Sequence, residues 1–189
     1  MDISWAGISA ADQQLFLTLN GIHSPVTDFV FKWITFKWTW IPLYVFLIYL
    51  IAREYRREAI GIILLSIIAL VLADYFASGL MKPYFERFRP CHDPVIGHLV
   101  HNITGCGGKY GFSSSHASTS FALTTAFYLF TRERIPGMKW MYLWAAIYAY
   151  SRVAVGVHYP GDILVGAALG ALTAWIIVLF YSYFRKSLL

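Results

Sequence analysis

Apolar residues dominate residues 59–81, where the sequence reads AIGIILLSIIALVLADYFASGLM and Asp74 is the single charged residue. At about 1.5 Å per residue, a helix over this stretch is about 35 Å long, enough to cross a hydrocarbon core of about 30 Å. The pattern therefore predicts a transmembrane helix. Because a charge at the bilayer centre costs about 2.5–3.5 kcal/mol, Asp74 should face the bundle with a partner. A contact between helices is the first interpretation, and support of a nearby site is the second.

Similar apolar stretches occur at residues 27–52, 117–131, 138–156 and 161–184. The first of them is interrupted by Lys32, Lys37 and Pro42. The second is so short that its helix must begin inside the preceding loop. Together these stretches predict an all-α fold, a polytopic transmembrane helix bundle of about five spans. Because no internal repeat or low-complexity tract divides the chain, residues 1–189 are expected to form one integral-membrane domain.

The first 26 residues have a different pattern. Over residues 1–26, bulky apolar side chains are interspersed with polar ones, at Trp5, Ile8, Leu15, Phe16 and Leu19. This mixture predicts an amphipathic segment that lies in the membrane interface. If the segment crosses the membrane instead, the bundle has six spans.

Composition agrees with a membrane protein. Hydrophobic residues make up 58% of the chain and charged residues only 13%, which excludes an ordinary water-soluble globular protein. Aromatic residues make up 18%, and many of the Trp and Tyr residues lie near the ends of apolar runs. Such rings favour the headgroup region of a bilayer. The surrounding bilayer and a membrane lipid are therefore the expected partners; a nucleic-acid partner is not expected, and the pattern fixes no oligomeric state.

Basic residues orient the predicted bundle. One face carries eight of the 15 Lys and Arg residues: Arg53, Arg56, Arg57, Arg132, Arg134, Lys139, Arg185 and Lys186. Short cytoplasmic loops carry an excess of Lys and Arg, so this face is predicted to be cytoplasmic. All six histidines fall on the opposite side, where an active site would face the exterior. The predicted location is a bacterial cytoplasmic (inner) membrane, with the active site facing the periplasm or exterior.

One long extracytoplasmic loop, residues 83–112, contains both cysteines of the chain. On an oxidising side of the membrane, a disulfide between Cys91 and Cys106 would stabilise the loop by about 3 kcal/mol through chain entropy. The sequence therefore predicts this disulfide, and two free thiols are the alternative. His92, His98 and His101 with Asp93 form a minor alternative, a metal site, although their spacing fits no firm metal-binding pattern.

Three polar clusters stand at the outer ends of the predicted spans. In KPYFERFRP, Lys82 and Arg89 are seven residues apart, which puts them on one face of a continuous helix. Arg87 would point elsewhere on that helix, towards headgroups or solvent, and no role is assigned to Lys109. The second cluster is SSSHAS, at residues 113–118, where backbone amides at a helix start can bind an anion.

The third cluster is SRVAVGVHYPGD, in which Arg152 ends one span while His158 and Asp162 begin the next. A spacing of four lets the Asp162 carboxylate reach one ring nitrogen of His158 and leaves the other nitrogen free to attack. Three cations, two histidines, a carboxylate and free amides on one face indicate a phosphate site. This arrangement requires no metal or other cofactor, because the cations can neutralise the charge that develops during phosphoryl transfer.

The order of these motifs resembles the type 2 phosphatidic acid phosphatase superfamily, in its membrane lipid phosphate phosphatase branch. The first and third motifs match in full, at Lys82, Arg89 and Pro90 and then at Ser151, Arg152, His158 and Asp162. The second differs from the family's usual Pro-Ser-Gly-His, because Ser113 replaces proline and Ser115 replaces glycine. A serine amide can make the glycine's contact with phosphate if the backbone needs no positive φ at that position.

The resemblance implies a role for each matched residue. His158 would be the nucleophile that forms a phosphohistidine, and Asp162 would orient it. His116 would protonate the leaving group and then activate water, as an imidazole with a pKa near about 6.5 can do. Phosphoryl oxygens would be bound by Lys82, Arg89, Arg152, Ser114 and Ser115. The implied function is metal-independent hydrolysis of the terminal phosphate of a lipid phosphate or diphosphate, of the undecaprenyl diphosphate, phosphatidylglycerophosphate, phosphatidic acid or lipid A type.

Three alternatives remain at this point. A soluble phosphate ester would be the substrate of a glucose-6-phosphatase-like enzyme. An intramembrane serine hydrolase would use Ser113, Ser114 or Ser115 with His116, although residues so close on a helix point in different directions. A transporter or lipid-binding bundle would bind phosphate without releasing it, although transporters usually carry inverted repeats.

Overall fold

Helices form nearly all of the regular structure in residues 5–187, the part of the chain that this computed structural model describes. The α-helices are α1 (Trp5–Asn20), α2 (Pro25–Thr35), α3 (Ile41–Tyr55), α4 (Glu58–Asp74), α5 (Lys82–Phe85), α6 (Ser115–Thr131), α7 (Met141–Ala154) and α8 (Pro160–Ser187). Within that range the β structure is limited to one antiparallel bridge between Phe88 and Tyr110. The predicted all-α architecture is therefore confirmed.

A π-helical turn, Tyr75–Met81, joins α4 to α5, so that one continuous helix runs from Glu58 to Phe85. The helix ends there because Glu86 adopts a left-handed conformation with φ 45°, and its N–H donates to the Lys82 carbonyl. The prediction that Lys82 and Arg89 share one helical face is therefore wrong. Arg89 instead follows in an extended segment, which aims its side chain independently of the helix.

Within residues 5–187, two helices are long and apolar enough to cross a membrane, Glu58–Phe85 and Pro160–Arg185. A third candidate is the pair Pro25–Thr35 and Lys37–Tyr55, which is bent by 69° at the junction where the sequence pattern was interrupted. Helices α6 and α7 have only 17 and 14 residues, about 26 and 21 Å at about 1.5 Å per residue. A membrane protein with two or three candidate spans is therefore what the helices support, and five spans stays a prediction.

Close packing of α6 against α8 holds the centre of the bundle together. Gly166 and Gly170 lie one turn apart on α8, against the Ser114 and Ser118 carbonyls of α6. A Cβ at Gly166 would lie 2.5 Å from the Ser114 oxygen, and one at Gly170 would overlap the Ser118 oxygen. Small residues at such positions let two backbones approach, as is typical of helix pairs in membranes.

Gly170→Ala is expected to lower the melting temperature of the purified protein in detergent by several degrees. The added methyl group meets backbone, which cannot move aside as a side chain can, and overpacking of this kind costs about 1–3 kcal/mol. Gly61→Ala on α4 is the matched control, because its Cβ would have nothing within 4 Å. Equal melting temperatures for the two variants would contradict this account of the α6–α8 contact.

The N-terminal helix α1 packs on the C-terminal end of α7 and the N-terminal end of α8. Phe16 is fully buried, and its ring meets the edge of the Tyr159 ring at 5.4 Å between centroids. Residues 1–4 of the predicted interfacial segment lie outside the described residues, and its position in the membrane interface stays a prediction. Its contacts nevertheless attach α1 to the turn that carries His158.

Residues 83–112 form a loop with two short 3₁₀ turns, Pro90–His92 and Gly97–Leu99, after the last turn of α5. A disulfide joins Cys91 to Cys106, whose Cα atoms are 5.9 Å apart. The loop is also held to α1, because the Gln13 amide donates to Asp93 at 3.0 Å. The disulfide and this hydrogen bond therefore restrain the part of the loop that follows Arg89.

Candidate active site

The structure brings the three sequence clusters together at one end of the bundle. Lys82 comes from the last turn of the long helix, His116 from the first turn of α6 and Arg152 from the last turn of α7. His158 lies in the short turn before α8, and Asp162 lies in the first turn of that helix. Arg89 reaches the same place from the loop. All the side chains predicted from the three motifs therefore border one small region.

His158 and Asp162 form a buried pair. The His158 side chain is 1% exposed and that of Asp162 is fully buried, with 3.3 Å between Nδ1 and Oδ2. Oδ2 also accepts the N–H of Tyr159 at 3.0 Å, which fixes the carboxylate on the turn. A proton on Nδ1 therefore faces a carboxylate oxygen, and Nε2 is left with its lone pair on the opposite side of the ring.

Arg87 was expected to point to headgroups or solvent, and the structure contradicts this. Its Nη1 donates to Asp162 Oδ1 at 2.9 Å, and its guanidinium lies 4.2 Å from the centre of the Tyr159 ring. The expectation was wrong because it extended the helix past Phe85. Once Glu86 breaks the helix, Arg87 turns back towards α8 and neutralises a carboxylate that is otherwise costly to bury.

Asp12 on α1 completes this network. Its Oδ2 accepts from Arg87 Nη2 at 2.7 Å, while its Oδ1 accepts the N–H of Gly161 at 2.8 Å. Sequence reasoning missed Asp12, and the two residues of that second contact are 149 positions apart. The sequence carries no local signal for such a contact. Arg87 thus contacts the Asp162 carboxylate directly, and Asp12 holds Arg87 and the start of α8 in position.

Positive charge surrounds the free nitrogen of His158. Arg89 Nη1 donates to Nε2 at 3.0 Å and to the Val157 carbonyl at 3.2 Å. Burial, followed by the positive charges of Arg89, Arg152 and Lys82, lowers the pKa of His158 well below its usual value. Because the pKa is lowered, the imidazole stays neutral as the pH falls through about 6.5. A neutral imidazole is the form that can act as a nucleophile.

Two buried polar atoms in this region lack a hydrogen-bond partner within residues 5–187: Ser114 Oγ and Arg152 Nε. Arg152 is otherwise held, because its Nη1 donates to Thr35 Oγ1 at 2.7 Å. Buried polar groups are nearly always hydrogen-bonded in folded proteins, so these two atoms beside several cations are candidates to bind an anionic ligand. A phosphoryl group supplies the acceptor that Arg152 lacks and can accept from the serine hydroxyl.

The start of α6 is open towards the same region. Ser114 occupies the N-cap position without capping the helix through its side chain, and its own N–H donates to the Asp162 carbonyl at 3.0 Å. The Ser114 amide is therefore already used, and the hydroxyl is the group left to touch phosphate. The amides of the next residues form the unsatisfied first turn of a helix, a favourable anion site.

Ser115, which replaces the family's glycine, has no positive φ. The backbone therefore needs no glycine there, and the amide of Ser115 belongs to the open first turn. Its hydroxyl lies 3.4 Å from Lys82 Nζ, which also donates to Ser78 Oγ at 3.0 Å. Ser78 in turn donates to Asp74 at 3.2 Å, which favours the interpretation of Asp74 as support for the site.

His116 stacks on Tyr148, with 5.1 Å between ring centroids and 28° between planes. Burial, followed by the positive charge of Arg152, lowers the pKa of His116 to about 2, so the ring is neutral until a negatively charged group binds beside it. The serine-hydrolase alternative needs a serine beside His116. In the described residues, Ser113 Oγ instead donates to Met81 sulfur at 3.4 Å and Ser115 contacts Lys82. This arrangement does not favour a serine nucleophile.

Cavities lead into the site from two sides. One, of about 710 Å³, is lined by Phe29, Lys32 and Trp33 of α2 together with Arg89 and Arg152. The other, of about 420 Å³, is lined by residues around His116, among them Asp74, Ser115 and Tyr148.

The histidines predicted as a minor metal site do not meet: His92 contacts the Gly107 carbonyl, and His101 contacts Asp28.

Comparisons with known proteins show which family this sequence matches. A model of the PAP2 superfamily matches residues 60–186. The chain is 36% identical over 186 residues to the lipid A 4'-phosphatase of Porphyromonas gingivalis, covering 95% of this chain and 76% of that protein. It is 33% identical over 172 residues to the lipid A 4'-phosphatase of Bacteroides thetaiotaomicron, covering 89% and 76% of the two chains.

A solved structure shares the fold. The crystal structure of a transmembrane PAP2-type phosphatidylglycerolphosphate phosphatase from Bacillus subtilis matches with a TM-score of 0.69 and 21% identity. The match covers 96% of this chain and 89% of that one. At this identity the likeness concerns the fold alone.

Proposed function

The chain belongs to the PAP2 superfamily, and from that membership we propose that it is a lipid phosphatase working through a phosphohistidine on His158. It removes the terminal phosphate of a membrane lipid at the outer face of a bacterial cytoplasmic membrane. The observation that carries the proposal is the pair of buried, unpartnered atoms, Ser114 Oγ and Arg152 Nε, beside the neutral imidazole of His158. In this proposal, a phosphoryl group of the substrate binds to both atoms.

In the first step, the Nε2 lone pair of His158 attacks phosphorus and the bond from phosphorus to the lipid oxygen breaks. His116, which becomes protonated once the negative charge of the bound phosphate raises its pKa, gives its proton to that oxygen, so the lipid leaves as a neutral alcohol. Arg89 exchanges its contact with Nε2 for a phosphoryl oxygen, and Arg152 and Lys82 bind the others. Such preorganised donors stabilise the charge that builds up in the transition state. The Asp162 carboxylate stabilises the imidazole as it becomes positively charged.

In the second step, His116 accepts a proton from a water molecule, whose oxygen attacks the phosphorus of the phosphohistidine. The bond from phosphorus to Nε2 breaks, inorganic phosphate leaves and both histidines return to their starting states. Every proton in this sequence is carried by His116, by substrate or by water, so the chemistry requires no metal.

A lipid A-type phosphate monoester is the substrate class that we favour. Two relatives that are more than 30% identical over at least 89% of this chain are named lipid A 4'-phosphatases. The 710 Å³ cavity also suits an amphiphile, since Phe29 and Trp33 are exposed apolar side chains next to Lys32 and the phosphate site. Undecaprenyl diphosphate, phosphatidylglycerophosphate and phosphatidic acid are the competing lipids, and glucose 6-phosphate represents the soluble esters.

Phosphate release from these five substrates by purified protein in detergent tests the proposal. We expect kcat/KM for lipid A to exceed that for glucose 6-phosphate by at least 100-fold and those for the other lipids by at least tenfold. Lys32→Gln should reduce the preference, with Lys139→Gln as the control, because Lys139 packs on Trp140 and lines neither cavity. Fastest turnover of glucose 6-phosphate would contradict the lipid assignment.

Chelation provides a separate prediction. Preincubation with EDTA should leave kcat unchanged within about twofold, because the steps above rely on cationic side chains. Vanadate, an anion of phosphate's shape, should inhibit competitively. A loss of activity in EDTA that added Mg²⁺ or Zn²⁺ restores would contradict a mechanism without catalytic metal.

A further inference from the structure

His23, Asp28 and His101 meet outside the phosphate site, and each offers one ligand atom within 4.8 Å of the other two. His101 Nε2 is 2.9 Å from Asp28 Oδ2, and the His23 and His101 rings stack at 3.7 Å between centroids. We propose that these three side chains bind one divalent transition-metal ion of the Zn²⁺ class. The site is independent of the phosphatase mechanism and has no part in its steps.

The ligand set suits this class of ion. Imidazole nitrogens bind Zn²⁺ at about 2.0–2.1 Å and carboxylate oxygens at about 2.0–2.2 Å, whereas Mg²⁺ and Ca²⁺ prefer oxygen ligands. Ligand atoms of one tetrahedral ion are about 3.3–3.5 Å apart at these bond lengths. His101 and Asp28 are already close to this spacing. The exposed ring of His23 has to tilt away from its stacked position to aim a nitrogen at the ion.

His101 is held in place by its backbone. The buried Asn20 amide donates to the His101 carbonyl at 3.0 Å, and the His101 N–H donates to Asn20 Oδ1 at 2.9 Å. The same Asn20 nitrogen reaches the Val153 and Ala154 carbonyls at the end of α7. One ligand is therefore fixed to the bundle before any ion binds.

The other two ligands flank a rigid helix start. Ser24 caps α2 in a reciprocal capping box with Thr27, and the Asp28 N–H donates to the Ser24 carbonyl at 2.9 Å. This geometry fixes where Asp28 stands relative to His23, the residue before the cap. A preformed backbone reduces the entropy that ion binding costs.

Binding there would join α2 to the loop of residues 83–112. These are the two sides of the 710 Å³ cavity, where Phe29 follows Asp28 and Thr104 lies three residues after His101. The ion would therefore hold the two sides of this cavity together. Phosphate binding by Lys82, Arg89 and Arg152 does not depend on it. The expected role is to stabilise this part of the protein.

Zn²⁺ titration of the full chain in detergent tests the proposal, with the purification tag removed and bound metal stripped by chelator. Calorimetry should give one ion per chain, and the melting temperature should rise by a few degrees with saturating Zn²⁺. His23→Ala, which removes an exposed ring, should raise Kd at least tenfold, and Asp28→Asn should do the same. His98→Ala is the matched control, an exposed histidine on the same loop, and should bind like wild type.

Co²⁺ provides a second measurement that does not depend on stability. Replacing Zn²⁺ with Co²⁺ should give visible d–d absorption of a low-symmetry site in wild type and in His98→Ala, but not in His23→Ala. Equal Zn²⁺ affinity in wild type and His23→Ala would overturn the proposal, as would an equal loss in His98→Ala. Phosphate release by the metal-free protein is measured separately, so failure here is distinguishable from failure of the phosphatase proposal.

Discussion

His158→Ala is expected to abolish phosphate release, with kcat lowered roughly 10⁴-fold or more. The variant removes the nitrogen that forms the bond to phosphorus, and loss of a nucleophile costs more than loss of any one binding contact. Arg89, Arg152 and Lys82 remain in place, so the variant should still bind substrate. A fluorescent lipid phosphate should therefore bind with an affinity within about tenfold of wild type.

Two further variants distinguish a loss of catalysis from a loss of folding in this experiment. His158 is buried, so alanine leaves a cavity, whereas His158→Gln fills most of the space and should be equally inactive. His92→Ala, on the exposed side of the loop, should keep wild-type turnover. Turnover in His158→Gln at more than about a tenth of the wild-type rate would rule out the phosphohistidine.

Arg87→Gln is expected to lower kcat by roughly 10–100-fold with little change in KM. The Arg87 guanidinium contacts Asp162 and Asp12, while phosphate is held by other side chains, so its loss should act through the orientation of His158. It should also destabilise the protein, because Asp162 would be left buried without its cation, at a cost of about 3–5 kcal/mol. Measurements of kcat, KM and the melting temperature separate the two effects.

Asp12→Asn gives a graded test of the same network. The amide oxygen can still accept from Gly161 or Arg87, so the loss in kcat should be smaller than in Arg87→Gln. Lys109→Gln is the control, since this exposed loop cation packs on Phe88 and Tyr110, away from the His158–Asp162 pair. Wild-type kinetics in Arg87→Gln would show that the arginine has only a structural role.

The sequence predicted most side chains of the candidate site because its signals are local. Spacing of four residues predicted that Asp162 reaches His158, and the 3.3 Å contact has that geometry. The apolar run over residues 59–81 likewise predicted a membrane-spanning helix, and the helix in the structure extends from Glu58 to Phe85. Lys82 and Arg89 were expected on one helical face; both reach the site, but the helix breaks at Glu86 between them.

The contacts of Arg87 and Asp12 were not predicted, because they depend on one backbone conformation and on residues that are distant in the sequence. Nothing around Arg87 predicts that Glu86 adopts a left-handed conformation, yet that single residue turns the arginine towards Asp162. Asp12 lies in a segment predicted to rest in the interface, and its contact with Gly161 arises only when α1 packs on α8. Residues that position the candidate catalytic side chains through distant contacts, such as Arg87 and Asp12, therefore cannot be predicted from the spacing of motifs.

Trapping the covalent intermediate tests the central claim most directly. Protein mixed with lipid phosphate labelled with ³²P, then quenched within milliseconds, should carry label that is stable in base and labile in acid. Peptide mapping should place this label on His158, and His158→Gln should carry none. Label that is stable in acid and maps to Ser113, Ser114 or Ser115 would contradict the account, as would rapid turnover with no labelled protein at any quench time.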